Sequence, residues 1–91
     1  MEKRMPRVGE KVYVLYGDEL YEEKVFAVGE KHFILESFRN TVELYWLQRL
    51  EDKDSVWFFD LEDAKDDLMS RYNDDYELVE YTKRWYGVRR L

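Results

Sequence analysis

Apolar positions in the first half of the chain recur at every second residue, which is the spacing of a β-strand. Val12, Val14 and Tyr16 alternate with Tyr13 and Leu15, so the first predicted strand has almost no polar face. Further strands are predicted where apolar and β-branched residues cluster between turn signals. They are residues 21–28, 32–38, 41–46 and 55–59.

Short polar connections separate these strands. Gly17-Asp18 predicts a tight turn, because glycine tolerates a positive φ and aspartate can hydrogen-bond its own backbone. Gly29-Glu30-Lys31 and Arg39-Asn40 predict two more connections, and residues 47–54 form a mostly polar link. The strand 55–59 is almost wholly apolar, so we expect both of its faces to be covered.

The period of the apolar residues changes after this strand and predicts a helix of roughly three turns. Asp60 is placed to cap it, because its carboxylate can accept hydrogen bonds from the first backbone amides. Glu62 and Asp63 add negative charge where the helix dipole favours it. Asn73-Asp74-Asp75 is expected to end the helix. Its apolar stripe consists of Leu61, Ala64, Leu68 and Tyr72, with Met69 beside them.

The C-terminal segment favours a strand, because Tyr76, Leu78 and Glu80 alternate with the residues between them. The spacing of its apolar residues suits a helix less well. We expect one strand that runs from Tyr76 to about Trp85, with Gly87 breaking it. Residues 1–7 and 88–91 are then expected to be flexible ends.

These elements predict a single α+β domain with a small antiparallel, barrel-like sheet of five to six strands and one packed helix. The chain has 91 residues, which is too short for two hydrophobic cores. The predicted core is Val12, Val14, Val25, Ile34, Leu35, Trp57, Phe59, Leu61, Ala64 and Leu68.

The composition excludes several classes of chemistry. The chain has no cysteine, which rules out disulfides, thiolate metal sites and a cysteine nucleophile. It contains no run of about 18 apolar residues, so we expect no membrane span. The charged N-terminus is not followed by an apolar signal core. A cytoplasmic protein is the expectation, in the host cytoplasm if a phage encodes it.

The charges are unevenly distributed along the chain. The net charge is −6, yet residues 51–80 carry twelve acids against three bases, and residues 82–91 carry four bases and no acid. Phosphate binding needs lysine and arginine, so free duplex nucleic acid is not an expected partner of the acidic region. The basic tail could still contact a phosphate group.

Catalytic apparatus is sparse, and we predict that the protein is not an enzyme and uses no cofactor. His32 is the only histidine, at a strand start where a surface imidazole is ordinary. Ser37, Ser55 and Ser70 show no nucleophile context, and no glycine-rich phosphate loop is present.

Carboxylates four residues apart on the predicted helix pair Glu62 with Asp66 and Asp63 with Asp67. Such pairs can hold a hard cation, so a carboxylate-metal hydrolase is an alternative function. The simpler interpretation is a solvated acidic face with no metal, which could present phosphate-like charge to a basic protein partner. The predicted partner-binding residues are Glu62, Asp63, Asp66, Asp67, Asp74 and Asp75.

Aromatic residues make up 18% of the chain, more than so small a core can bury. Exposed tyrosine and tryptophan suit recognition, whereas the alternative is that they form barrel walls and cross-strand pairs. Rings and positive charge combine near the C-terminus and suit a nucleotide. The second hypothesis is therefore a homo-oligomer that binds or sequesters a nucleotide. Its predicted ligand-binding residues are Arg84, Trp85, Tyr86 and Arg89.

Residues 8–14 followed by residues 24–29 resemble the opening hairpin of SH3-like small barrels of the Tudor and KOW type. Residues 56–65 are similar to a strand-then-helix ending of small phage and bacterial proteins. These resemblances imply a compact binding protein. Small acidic phage proteins often occupy a host protein or sequester a signalling molecule, so an inhibitor of a bacterial defence system is the role that the resemblance implies.

Overall fold

A computed structural model of the chain describes residues 4–36, 45–49 and 57–91. These residues form an antiparallel sheet with one helix, which confirms the predicted α+β class. In chain order the elements are β1 (Lys11–Tyr16), β2 (Glu19–Val28), β3 (His32–Glu36), β4 (Tyr45–Arg49), β5 (Trp57–Phe58), α1 (Leu61–Met69), β6 (Tyr76–Thr82) and β7 (Trp85–Arg90).

Five strands lie side by side in the order β4-β3-β2-β1-β5, and the sheet curls into a half-barrel. The ten-residue strand β2 pairs with three other strands of the sheet. One edge of β2 pairs with β1, while the other pairs first with β7 and then with β3. The β6–β7 hairpin therefore joins the sheet beside the first half of β2. The predicted Gly17-Asp18 turn links β1 to β2, with Gly17 at a φ of 62°.

Two hydrophobic clusters lie on opposite faces of this sheet, because successive side chains of a strand point to opposite sides. Strand β1 contributes to both, with Val12 and Val14 on the first face and Leu15 on the second. The first cluster consists of Val12, Val14, Val25, Phe33, Leu35 and Trp57. The second cluster, under the helix, consists of Leu15, Leu20, Ala64, Leu68 and Tyr86.

Most of the predicted core is buried, and the exceptions have a geometric reason. Phe33, not Ile34, points into the first cluster, where its ring meets Trp57 edge to face at 4.9 Å between centroids. Ile34 is half-buried, as are Phe59 and Leu61. The confirmed residues are Val12, Val14, Val25, Leu35, Trp57, Ala64 and Leu68.

The helix begins as predicted and ends earlier. Asp60 adopts extended backbone angles and its Oδ1 accepts a hydrogen bond from the Glu62 amide at 2.9 Å. The last helical residue is Met69, four residues before the predicted stop at residues 73–75. The Ser70 hydroxyl donates to the Asp67 carbonyl oxygen at 2.6 Å, which satisfies one of the free carbonyl groups at the helix end.

The C-terminal segment is β-structure from Tyr76, as predicted, but the prediction of a single strand was wrong, because the segment is a hairpin of two strands. The turn at Lys83-Arg84 contains none of the usual glycine, asparagine or aspartate signals. Instead the Thr82 hydroxyl oxygen accepts from the Arg84 amide at 3.1 Å and stabilises the turn locally. Gly87 does not end the strand, which continues to Arg90.

Strand β4 also differs from the prediction, since residues 47–49 belong to it and not to a polar link. They pair with residues 32–34 of β3. The other predicted features between residues 37 and 44 and between residues 50 and 56 lie outside the described residues.

The described N-terminal residues are placed against the sheet. Pro6 is fully buried and Met5 packs on the first cluster. Arg4 forms hydrogen bonds with Glu10 and stacks over Phe59, with its guanidinium carbon 4.1 Å from the ring centroid. No helix within the described residues is long and apolar enough to cross a membrane.

Candidate binding surfaces

The outer side of α1 carries the predicted acidic residues. The helix turns Ala64 and Leu68 toward the sheet, so the carboxylates between them point away from it. Residues 60–75 hold seven acids and two bases. We call the following residues, five of them exposed and Asp67 half-exposed, the acidic surface: Glu62, Asp63, Asp66, Asp67, Asp74 and Asp75.

The two bases of this segment neutralise only part of the acidic surface. Lys65 Nζ lies 3.5 Å from a Glu62 carboxylate oxygen, and Arg71 Nη2 lies 3.0 Å from Asp67 Oδ2. Asp63 and Asp66 form no ion pair with any described residue. Across the described ranges, no group of three or more histidine, aspartate or glutamate side chains is arranged to hold a metal ion.

Four aromatic rings form a continuous row on the face of the sheet opposite the helix. Tyr16 and Tyr21 have ring centroids 5.5 Å apart, and Tyr21 stacks on Trp85 at 6.0 Å with an angle of 8° between the ring planes. Tyr81 extends the row beyond Trp85, with 4.4 Å between the centroids of these two rings. We call these four residues the aromatic row. Tyr21 in this row is buried and Tyr16 and Trp85 are half-buried, whereas Tyr81 is 49% exposed.

Glu19 holds the middle of the aromatic row in place. Its Oε2 accepts a hydrogen bond from the Tyr21 hydroxyl at 2.7 Å, and its Oε1 accepts one from Trp85 Nε1 at 3.3 Å. The two rings are thus fixed by one carboxylate as well as by stacking. Glu23 follows Tyr21 on the same face of β2 and is 2% exposed, so a second carboxylate lies beneath this region.

A bulge in β6 presents Tyr81. Glu80 pairs with Tyr86 and Thr82 pairs with Trp85, so Tyr81 is the extra residue between them. A bulge turns a side chain away from the regular alternation of a strand. The Tyr81 ring then lies across Gly87, where the absence of a side chain leaves room for it.

The structure does not bring the four predicted nucleotide-binding residues together. Trp85 belongs to the aromatic row, whereas Tyr86 points to the opposite face and packs with Ala64 and Leu68 of α1. Burial, with a smaller effect of nearby carboxylates, raises the pKa of Tyr86 above its ordinary value. Arg89 pairs with Glu77 across the hairpin, and Arg84 is exposed in the turn.

Sequence reasoning missed Glu19, Tyr21 and Gly87 as members of a possible site. Their signal was present only in part, since the predicted strand 21–28 contains Tyr21 but begins two residues after Glu19. The link from Tyr21 to Trp85 joins residues that are far apart in the sequence, and it depends on the pairing of β2 with β7. No local pattern contains that pairing.

A shallow apolar recess of about 200 Å³ lies at the turn between β2 and β3. Phe26, at the bulge in β2 nearby, is 48% exposed. His32 is exposed at the rim of the recess. The recess is lined by Ala27, Val28, Gly29, His32, Phe33 and Ile34.

Comparisons of the chain with protein families, curated proteins and solved structures found no match.

Proposed function

We propose that the chain is a non-catalytic binding protein that takes a positively charged protein partner on the acidic surface. The observation that carries this proposal is the outward orientation of the helix carboxylates, of which Asp63 and Asp66 have no ion-pair partner among the described residues. A charged surface of one sign speeds the encounter with a partner of opposite charge and guides its orientation.

The test is binding of a nona-arginine peptide, measured by calorimetry at low and physiological salt. The variant Glu62→Gln/Asp63→Asn/Asp66→Asn removes three negative charges from the helix. The control Asp18→Asn/Glu30→Gln/Glu36→Gln removes the same charge from exposed positions outside the helix. At physiological salt, charges beyond about 8 Å are largely screened, so we expect the helix variant to weaken binding much more than the control.

The same two variants test the proposal on a natural partner. A pull-down from bacterial lysate is expected to recover a protein with the wild-type chain and the control variant, but not with the helix variant. Equal recovery with all three chains, or nona-arginine binding that the helix variant leaves unchanged, would overturn the assignment of the acidic surface.

The biological role that we propose with this function is inhibition of a bacterial defence system by a phage-encoded protein, with a relationship to SH3-like barrels. The curled antiparallel sheet and the acidic surface support it. Phage plating on a defended host is the test. The wild-type chain is expected to restore plating, and the helix variant is expected to fail although it is expressed and folded.

A nucleotide-binding function is a second candidate. The exposed ring of Tyr81, two residues before Lys83 in the turn, is the observation that favours it, since a base can stack on the ring while the ammonium meets a phosphate. A thermal-shift screen with cyclic and linear nucleotides tests this candidate. Unchanged melting with every nucleotide would refute it.

A further inference from the structure

We infer that Tyr81, at the exposed end of the aromatic row, is a specificity-determining residue that stacks on an arginine side chain of the partner. This inference rests on the proposed function, because it concerns the same positively charged partner. Tyr81 belongs to strand β6 and lies on the face of the sheet opposite α1, and α1 also contacts β6. A partner that passes around β6 can therefore contact the acidic surface and Tyr81 together.

The Tyr81 ring has one covered face and one open face. Trp85 and the backbone of Gly87 occupy the covered side, and 49% of the residue remains exposed to solvent. An aromatic face attracts a cation through its quadrupole, and the flat guanidinium of arginine stacks on such a ring better than the ammonium of lysine does. The open face therefore discriminates between the two basic residues.

The acidic surface, which the same partner would contact, favours a cationic ligand for Tyr81 over an anionic one. Glu19 and Tyr81 contact the same indole, that of Trp85, so one carboxylate lies in the layer behind the Tyr81 ring. Lys83 and Arg84 in the adjacent turn are positively charged and favour an anion. Nucleotide binding is therefore the competing outcome of the test.

The site is also preorganised, which lowers the entropy that binding would lose. The indole of Trp85 is held between Tyr21 and Tyr81 and donates to Glu19. The bulge in β6 and the space at Gly87 fix Tyr81 against it. A ring that is already positioned can stack on a guanidinium without first being ordered.

The experiment compares nona-arginine with nona-lysine, peptides of equal charge, on four chains. The wild type is expected to bind nona-arginine about 2- to 5-fold more tightly, the factor that an exposed cation–π contact supplies. Tyr81→Leu is expected to abolish this preference, while Tyr81→Phe keeps it. Phe26→Leu is the matched control, because Phe26 is 48% exposed on a different part of the sheet.

The outcomes separate this inference from the proposed function. If neither peptide binds the wild type, the proposed function fails. If both bind and the arginine preference is absent or survives in Tyr81→Leu, the proposed function stands and the role of Tyr81 is refuted. If instead Tyr81→Leu loses a thermal shift given by a nucleotide, the open ring serves a base, and the arginine assignment is also overturned.

Discussion

A Cβ atom built on Gly87 would lie 2.6 Å from Cε2 of Tyr81, so the Tyr81 ring fills the space that a side chain at position 87 would need. The strand conformation of Gly87 is open to other residues, because its φ is not positive. Replacement by alanine therefore creates a steric conflict with the movable ring and not with the backbone.

Gly87→Ala is expected to displace Tyr81 from Trp85 while the domain stays folded. The lost ring contact, about 0.5–1.5 kcal/mol, is offset by the gain of about 0.5–1 kcal/mol when glycine leaves a strand. NMR contacts between the two rings are the measurement, together with the unfolding free energy. Gly29→Ala is the control for the ring contacts only, because its Cβ would meet the His32 carbonyl oxygen at 3.3 Å and no aromatic ring. Unaltered ring contacts in Gly87→Ala would contradict this geometry.

The two hydrophobic clusters are expected to unfold together, because strand β1 belongs to both. Leu35→Ala removes a fully buried side chain from the first cluster, and Leu68→Ala does the same in the second. Each change should lower the free energy of unfolding by about 2–5 kcal/mol.

Urea unfolding followed by both tryptophan fluorescence and far-UV circular dichroism checks this expectation. Both variants should show one shared transition by the two probes. Leu91→Ala, at a position that is 74% exposed, is the control and should change the unfolding free energy by less than about 0.5 kcal/mol. Separate transitions for the two probes would show that the clusters are independent.

Local signals in the sequence were sufficient for the helix cap and for most of the core. Asp60 was predictable because a cap needs only its own side chain and the next amides. The aromatic row was not, because it requires the pairing of β2 with β7 and the bulge at Tyr81. The hairpin itself was missed since Thr82, and not a glycine or asparagine, stabilises its turn.

The Asp60 cap is expected to contribute measurably to stability. Asp60→Ala removes the acceptor of the Glu62 amide and should cost about 1 kcal/mol of unfolding free energy. Asp60→Asn keeps an oxygen in the same place and should lose much less. Chemical denaturation of both variants is the measurement. Equal losses in the two would show that the charge, and not the hydrogen bond, is what matters.

Glu10 is expected to make stability depend on pH in the acid range. Hydrogen bonds lower the pKa of Glu10 from 4.5 to about 2. Those from the Arg4 guanidinium have the largest effect, and the one from the Arg7 amide at 2.9 Å comes second. Because the pKa is lower in the folded chain, the stabilisation is complete above pH 4.5 and is lost as the pH falls toward 2. Because the side chains of Arg4 and Glu10 are partly exposed, we expect Glu10 to contribute only about 0.5–1 kcal/mol to the free energy of unfolding.

Glu10→Gln should therefore be less stable than the wild type by that amount at pH 7, and the difference should shrink between pH 4.5 and about 2. Urea denaturation at a series of pH values measures it. Glu30→Gln, at an exposed position in the turn between β2 and β3, is the control and should follow the wild type. If Glu10→Gln and the wild type are equally stable at pH 7, the Arg4–Glu10 pair does not stabilise the fold. If the stability difference persists unchanged at pH 2, the pair is not its source, because protonation of Glu10 between pH 4.5 and about 2 should remove the difference.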